Sequence, residues 1–189
     1  MESREQLELI CPTAEHAEEY RAYRQEFLDA GDSMDGCGPM RRIADPAEWL
    51  AELARYADPA TVPPDKVQAT QYVCRRCRDG RIVGMLQLRH TLNDFTAKYA
   101  GHIGYSVRMS ERRKGYAEWM LRAALPRCRE LGLERILITC LETNEASRRT
   151  ILSCGGVYES TVFEPDRGRR LQRYWIDLRA TERGENDEL

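Results

Sequence analysis

The sequence predicts a mixed α/β domain in which an antiparallel run of strands feeds a β-α-β unit, and three observations predict it. The hydrophobic period is helical in the first third of the chain and changes to two from Val67 onward. Asp79-Gly80 falls between two alternating runs, where a tight hairpin turn belongs. Residues 115–131 then carry a clear amphipathic helix pattern, followed at once by the almost wholly apolar residues 135–141.

Taken in order, Leu7-Glu8-Leu9-Ile10 reads as a short strand closed by Pro12. Thr13 is the expected N-cap of a helix over residues 14–30, with Tyr20, Tyr23, Phe27 and Ala30 on one face and Gly31 ending it. Residues 31–44 hold three Gly and a Pro and read as a loop. Asp45 caps a second helix with Pro46 at N1, and Trp49, Leu50, Leu53 and Tyr56 form its apolar stripe. After a loop at 58–64, residues 67–77 and 81–89 read as strands. Residues 91–100 have no definite period, and 101–108 read as a third long strand.

In the 115–131 helix, Ala117, Met120, Leu121, Ala124, Leu125, Cys128 and Leu131 follow the i, i+3, i+4, i+7 spacing, and Pro126 is expected to kink it. Residues 135–141 suit a strand buried on both faces, as in a parallel sheet. Thr143 or Asn144 starts a helix to Cys154, stopped by Gly155-Gly156. Strands at 157–163 and 171–178 flank the turn-like Pro165-Asp166-Arg167-Gly168. With no repeat and no linker, residues 1–180 are expected to form one domain and the acidic residues 181–189 a disordered tail.

Composition narrows the function classes. The 189 residues carry 29 Lys+Arg against 31 Asp+Glu, a net charge of −2, which argues against a nucleic-acid binder or a polybasic membrane anchor. The longest apolar run is interrupted by Thr139 and is far shorter than the ~20 residues of a membrane span. The first six residues lack an apolar signal core, and seven irregularly spaced cysteines read as reduced thiols, so a cytoplasmic location is expected. Cys74 and Cys77 lie three apart on a strand and face opposite sides, so no metal is expected there. Neither a Walker loop nor a dinucleotide fingerprint is present.

Residues 107–117 carry the most chemistry. A strand ends, a basic loop of Arg112, Arg113 and Lys114 follows, and a helix opens at Gly115. The unpaired N–H groups and positive end of a helix can hold a phosphate, Gly115 lets the backbone approach it, and Ala117 keeps the next turn small. From spacing alone, a solvated basic loop is an equal reading.

Arg112-Arg113-Lys114-Gly115-Tyr116-Ala117 resembles the Q/R-x-x-G-x-G/A acetyl-CoA motif of the GNAT (Gcn5-related N-acetyltransferase) superfamily. The preceding Gly104-Tyr105-Ser106-Val107, the following buried strand, and Asn144-x-Ala146-Ser147 with its closing Gly155 extend the resemblance over about residues 67–178. The chain as a whole is similar to bacterial members. The resemblance implies the GNAT acyl-CoA N-acyltransferase fold, a central mixed and mostly antiparallel sheet flanked by helices. It implies acetyl-CoA as cosubstrate, lying between the third long strand and the next buried one. The backbone at Val107 and Met109 would meet the pantetheine, and the amides of Arg113, Lys114, Gly115, Tyr116 and Ala117, with Arg112, the pyrophosphate. An N–H near Val107 would hold the thioester carbonyl, and Asn144 and Ser147 would contact the pantetheine or adenosine. A primary amine of a small molecule or peptide would attack directly, on the side of the first two helices, with neither metal nor nucleic acid nor membrane involved. A homodimer is compatible with the family.

Two departures bear on catalysis. The family often places a tyrosine acid seven residues after the Asn, where this chain has Ile151, and an aromatic after the closing glycine, where it has Gly156. A non-catalytic acyl-CoA-binding or regulatory protein is therefore the alternative. His102 lies near where some members carry a base; it reads as a general base or as a hydrogen-bonded strand histidine. His90 has a similar claim. Tyr105 could line the acceptor cleft or pack in the core, and Cys154 and Tyr158 are substitutes for the acid, Cys154 with a packing explanation. Asp32, Asp35 and Asp45 could meet a cationic acceptor, and Arg167, Arg169 and Arg170 an anionic one.

Overall fold

The computed structural model describes residues 6–179, whose seven strands fall into two antiparallel sheets. The first holds β1 (Leu7–Ile10), β2 (Ala69–Arg76), β3 (Ile82–Arg89) and β4 (Ile103–Val107) in that spatial order. The second holds β5 (Arg135–Leu141), β6 (Val157–Glu164) and β7 (Arg169–Asp177) in the order β5-β7-β6. The expected acidic tail, 181–189, lies outside the described residues.

Helices cover both faces of the first sheet. On one face α1 (Ala17–Asp29), α2 (Pro46–Ala57) and the loop between them set Tyr20, Tyr23, Phe27, Cys37, Trp49 and Leu53 against Val73, Ile82 and Met85. On the other, α3 (Tyr116–Glu130) and α4 (Glu145–Ser153) set Met120, Leu121, Ala124, Cys128 and Ile151 against Leu86, Leu88, Ile103, Ile136 and Ile138. Each fully buried Leu or Ile among these stabilises the fold by about 1.5–3 kcal/mol. Because both faces are covered, β3 is buried along seven of its eight residues although its partners are antiparallel.

The expectation of a parallel setting for residues 135–141 fails for the same reason. β5 pairs antiparallel with β7 throughout, from Arg135↔Asp177 to Leu141↔Leu171, and its apolar character reflects burial on both faces. Thr13 does not cap the first helix. Its hydroxyl lies 3.3 Å from His16 Nδ1 and its N–H donates to Tyr20 Oη, so the chain enters through a 3-10 turn at Ala14–His16. Asp45 does cap α2, its Oδ2 accepting the Glu48 N–H at 3.1 Å.

Residues 96–100, which lacked a period, form a π-helical turn opened by reciprocal bonds between Asn93 and Thr96. The third long strand is shorter than the expected 101–108, since Gly101 takes a φ of +67° and turns the chain into β4. α3 runs on through the exposed Pro126 to Glu130.

Candidate active site

The two sheets meet along β4 and β5. Arg89 N–H donates to His102 O and Arg108 N–H to Val83 O, at 2.7 and 2.9 Å. The even-numbered residues of β4 thus turn their backbone groups to β3, and Ile103, Tyr105 and Val107 turn theirs the other way. On β5, the bonds Leu178 N–H to Glu134 O and Glu142 N–H to Arg170 O leave Leu137, Thr139 and Leu141 turned away from β7. Two strand edges therefore border one cleft.

One end of the cleft is closed. Gly101 bridges Ile138, His102 N–H donates to Leu137 O at 2.7 Å, and Leu137 N–H donates to His102 Nδ1 at 2.9 Å. A Cβ on Gly101 would lie 2.3 Å from Leu137 O, so the two chain segments touch backbone to backbone. His102 is 7% exposed, and burial, aided by the Arg89 charge, lowers its pKa to about 4. Its ring is neutral, its Nδ1 lone pair is engaged, and the proton therefore sits on Nε2. The geometry fits the strand-histidine reading and removes the lone pair that a base requires.

The other end is open. β4 stops at Val107, a 3-10 turn spans Met109–Glu111, and the Met109 carbonyl closes that turn on the Arg112 N–H at 3.5 Å. Arg113 has φ +65° and Gly115 φ +82°, two left-handed residues that curl the backbone just ahead of α3. Such a curl turns successive N–H groups to one side. Gly115 provides no side-chain cap, and space for 4 Å around its absent Cβ is free. Tyr116 buries its ring with Oη 3.2 Å from Arg76 Nη1, so only its backbone is available to a ligand. Ala117 is half-buried in the first turn.

Charge in this segment is not where the sequence count puts it. Arg108 is 1% exposed and pairs with Glu19 at 2.9 Å and Glu26 at 3.2 Å. Arg112 pairs with Asp32 at 2.7 Å, donates Nε to Val107 O at 3.2 Å, and lies over Phe27. Lys114 pairs with Glu111 at 2.6 Å, and buried Glu111 also holds Arg76 at 2.8 Å. Burial opposes the Glu111 charge, but Lys114 and Arg76 keep its carboxyl below the usual range. Among the described residues, Arg113 alone of these four basic side chains lacks a carboxylate within ion-pairing distance.

α4 borders the cleft with Asn144 as its cap, Oδ1 accepting the Ser147 N–H at 3.1 Å. Ser147 Oγ lies 2.8 Å from Tyr105 Oη. Ile151, one turn further on, is 0% exposed. Gly156 folds back against it so closely that a Cβ would lie 2.5 Å from Ile151 Cγ2 and 2.8 Å from its carbonyl oxygen. That contact explains why no aromatic stands at 156.

The loop between α1 and α2 seats on the opposite face of β4. A Cβ on Gly36 would lie 2.3 Å from Gly104 O, Tyr23 Oη donates to Ser106 O at 3.0 Å, and Trp49 Nε1 holds Cys37 O. Asp32 and Asp45 are engaged as an ion-pair partner and a cap, while Asp35 accepts from Ser33 Oγ. The arginines of the second basic patch are paired, Arg167 and Arg169 with Glu164 and Arg170 with Glu142. Trp175 is half-buried under Arg135.

The pairings of Arg112 and Arg108 escaped the sequence reading because Asp32 and Glu19 lie 80 and 89 residues away. The Lys114–Glu111 pair is local, since the extended Arg112 and left-handed Arg113 fold residues 111–114 into a tight turn that brings its two ends together. Among the described residues no cluster of His, Cys, Asp or Glu could hold a metal, and no helix is long and apolar enough to cross a membrane.

A family model described as an acetyltransferase (GNAT) domain matches residues 6–157. Among solved structures, the chain is similar to a ribosomal-protein-S5-alanine acetyltransferase from Vibrio fischeri, at 17% identity and a TM-score of 0.68 over 93% of this chain and 94% of that one. It is also similar to the ribosomal L7/L12 α-N-protein acetyltransferase RimL in complex with coenzyme A, at 16% identity and 0.67 over 93% and 95%. A third is the microcin C7 self-immunity acetyltransferase MccE, in complex with acetyl-CoA and AMP, at 18% identity and 0.65 over 93% of each chain. No curated protein matches the chain by sequence.

Proposed function

The chain belongs to the GNAT acetyltransferase domain family, and we propose that it transfers the acetyl group of acetyl-CoA to a primary amine of a small molecule or peptide by direct attack. One observation carries this reading. The left-handed turn at Arg113 and Gly115 opens α3 beside the outward edge of β4 at Val107, and among the described residues no hydrogen bond takes the backbone N–H of Arg113, Lys114 or Gly115, which leaves these donors for a small anion.

In this reading the amides of Arg113, Lys114, Gly115, Tyr116 and Ala117 cradle the pyrophosphate, and Arg113 supplies the cation nearest to hand. Arg112 and Lys114 join by exchanging Asp32 and Glu111 for phosphate oxygens. The departure of Arg112 also frees Val107 O for the pantetheine, and Met109 borders its path. Ser147 lines the opposite wall, and Asn144 acts by holding the start of α4. The outward N–H groups at Val107 and Tyr105 stabilise negative charge as it develops on the thioester oxygen.

An alkyl amine with a pKa near ~10.4 must lose a proton before attack. His102 does not take it, since its free lone pair is spent on Leu137; it positions β4 against β5. The same cytoplasmic enzyme could work as a homodimer, with neither metal, membrane nor nucleic acid in the reaction.

Purified protein incubated with acetyl-CoA and a panel of amines, with free thiol followed over time, tests the reading. Saturable thiol release with at least one amine is expected. Saturable cofactor binding without release across a broad panel would instead establish the non-catalytic acyl-CoA-binding protein.

A further inference from the structure

Amine attack on a thioester leaves a thiolate, and a thiolate that departs beside a low-dielectric cleft needs a proton. Three hydroxyl or thiol groups sit near enough to β4, α4 and β6 to be compared. Cys154 directs its thiol to Glu118 O on α3, 3.8 Å away, and burial raises its pKa. Tyr158 is exposed on β6 and bonds Thr161 Oγ1 at 2.9 Å. Tyr105 differs from both. Its backbone faces the open edge of β4, beside the position assigned to the thioester carbonyl. Its side chain leaves that same point and crosses to α4, where Oη meets Ser147 Oγ at 2.8 Å.

We propose that Tyr105 is the acid of the reaction and that Ser147 is its proton relay. This rests on the acetyl-CoA site of the proposed function. The amine nitrogen forms a bond to the carbonyl carbon, and the C–S bond breaks with its electron pair going to sulfur. Tyr105 Oη–H protonates that sulfur, the phenolate regains a proton from water through Ser147 Oγ, and the proton of the new ammonium passes to water. The sum is amine plus acetyl-CoA giving amide plus free thiol. Burial raises the pKa of the Tyr105 hydroxyl, so the group carries its proton at working pH. The titratable groups that face it are Cys140 of β5 and Cys154 beyond α4, both raised by burial and neutral at working pH.

Tyr105→Phe keeps the packed ring and removes only the hydroxyl, and Ser147→Ala removes the relay. Two readouts are needed, turnover and the pKa of the thiol of bound coenzyme A, followed by thiolate ultraviolet absorbance during a pH titration. In Tyr105→Phe, kcat falls about 10- to 100-fold with acetyl-CoA affinity unchanged. The bound thiol also titrates about one unit higher than in wild type, because a neutral hydroxyl donates to the thiolate and not to the thiol. Ser147→Ala shows the same signs at smaller size. Coenzyme A that binds and titrates identically in wild type and Tyr105→Phe overturns the proposal while the cofactor site stands. Coenzyme A that does not bind wild type at all overturns both. The thiol titration needs no acceptor, so it discriminates these outcomes before any amine substrate is in hand.

Discussion

The two ends of the β4–β5 cleft are built from the same strands and differ in how their polar groups are used. At the Gly101–His102 end the strands close on each other: backbone bridges backbone and a histidine ring nitrogen takes the N–H that a neighbouring strand would otherwise bond. At the Val107–Gly115 end the turn at residues 112–115 is exposed, α3 starts without a side-chain cap, and among the described residues one arginine has no carboxylate within ion-pairing distance. A buried histidine whose Nδ1, backbone N–H and carbonyl are all engaged is a joint, however inviting its chemistry. The exposed turn with two left-handed residues is where we propose that a small anion binds. On that proposal, satisfaction of hydrogen bonds separates structural from functional groups better than residue type does.

Changes at the closed end should act on stability, and those at the open end on binding. The largest effect is expected from Gly101→Ala. The new Cβ meets Leu137 O at 2.3 Å in a left-handed backbone, so we expect a loss of about 3–5 kcal/mol and a melting temperature lower by roughly 10 °C. A thermal melt unchanged within error would mean that the strands are not locked there.

Next comes acid. His102 has a pKa near 6.5 when unfolded and about 4 when folded, so the unfolded chain takes up its proton first as pH falls. Stability from this group is complete above pH 6.5 and is lost progressively down to pH 4, about 3 kcal/mol in all. Urea titrations of wild type and His102→Ala over that range should differ in slope, and parallel slopes would show that the ring titrates freely. The variant itself is expected to be about 1–3 kcal/mol less stable, since Leu137 N–H loses its acceptor.

At the open end, Gly115→Trp should weaken acetyl-CoA binding at least tenfold, about 1.4 kcal/mol, while the fold survives. Its Cβ enters free space, and only the left-handed φ costs about 1–2 kcal/mol. Calorimetric titration that returns the wild-type affinity would rule out the cradle. The smallest effect is expected from Arg113→Ala, a roughly three- to fivefold loss of affinity with a weaker salt dependence and an unchanged melt. If Arg113→Ala instead unfolded the protein, the two ends would not differ as described.

What was legible in the sequence was local. The hairpin at Asp79-Gly80, the cap at Asp45 and the glycine that opens α3 each declare themselves within a few residues, and the cap of α4 narrows to Thr143 or Asn144, of which the structure selects Asn144, because turn and cap chemistry is settled by neighbours. What depended on distant partners was hidden. Whether His102 is a base or a joint is decided by Leu137, 35 residues on. The charge of the basic loop is decided by Asp32, Glu19 and Glu26, on elements that reach it only through the fold. The antiparallel setting of β5 was misread because an apolar run reports burial on two faces and not strand direction. The run of basic residues 112–114 likewise overstates the positive field at the helix start, since Asp32 and Glu111 pair two of the three.

The contact between Ile151 and Gly156 constrains how this chain can change over generations. A side chain at 156 collides with the backbone of residue 151 as well as with its methyl group, and a larger residue at 151 must displace the loop that the glycine presses inward. Because the backbone at 151 is one of the collisions, no change of side chain at 151 makes room at 156. A side chain at 156 therefore requires a different path of the chain between α4 and β6 and not a single substitution.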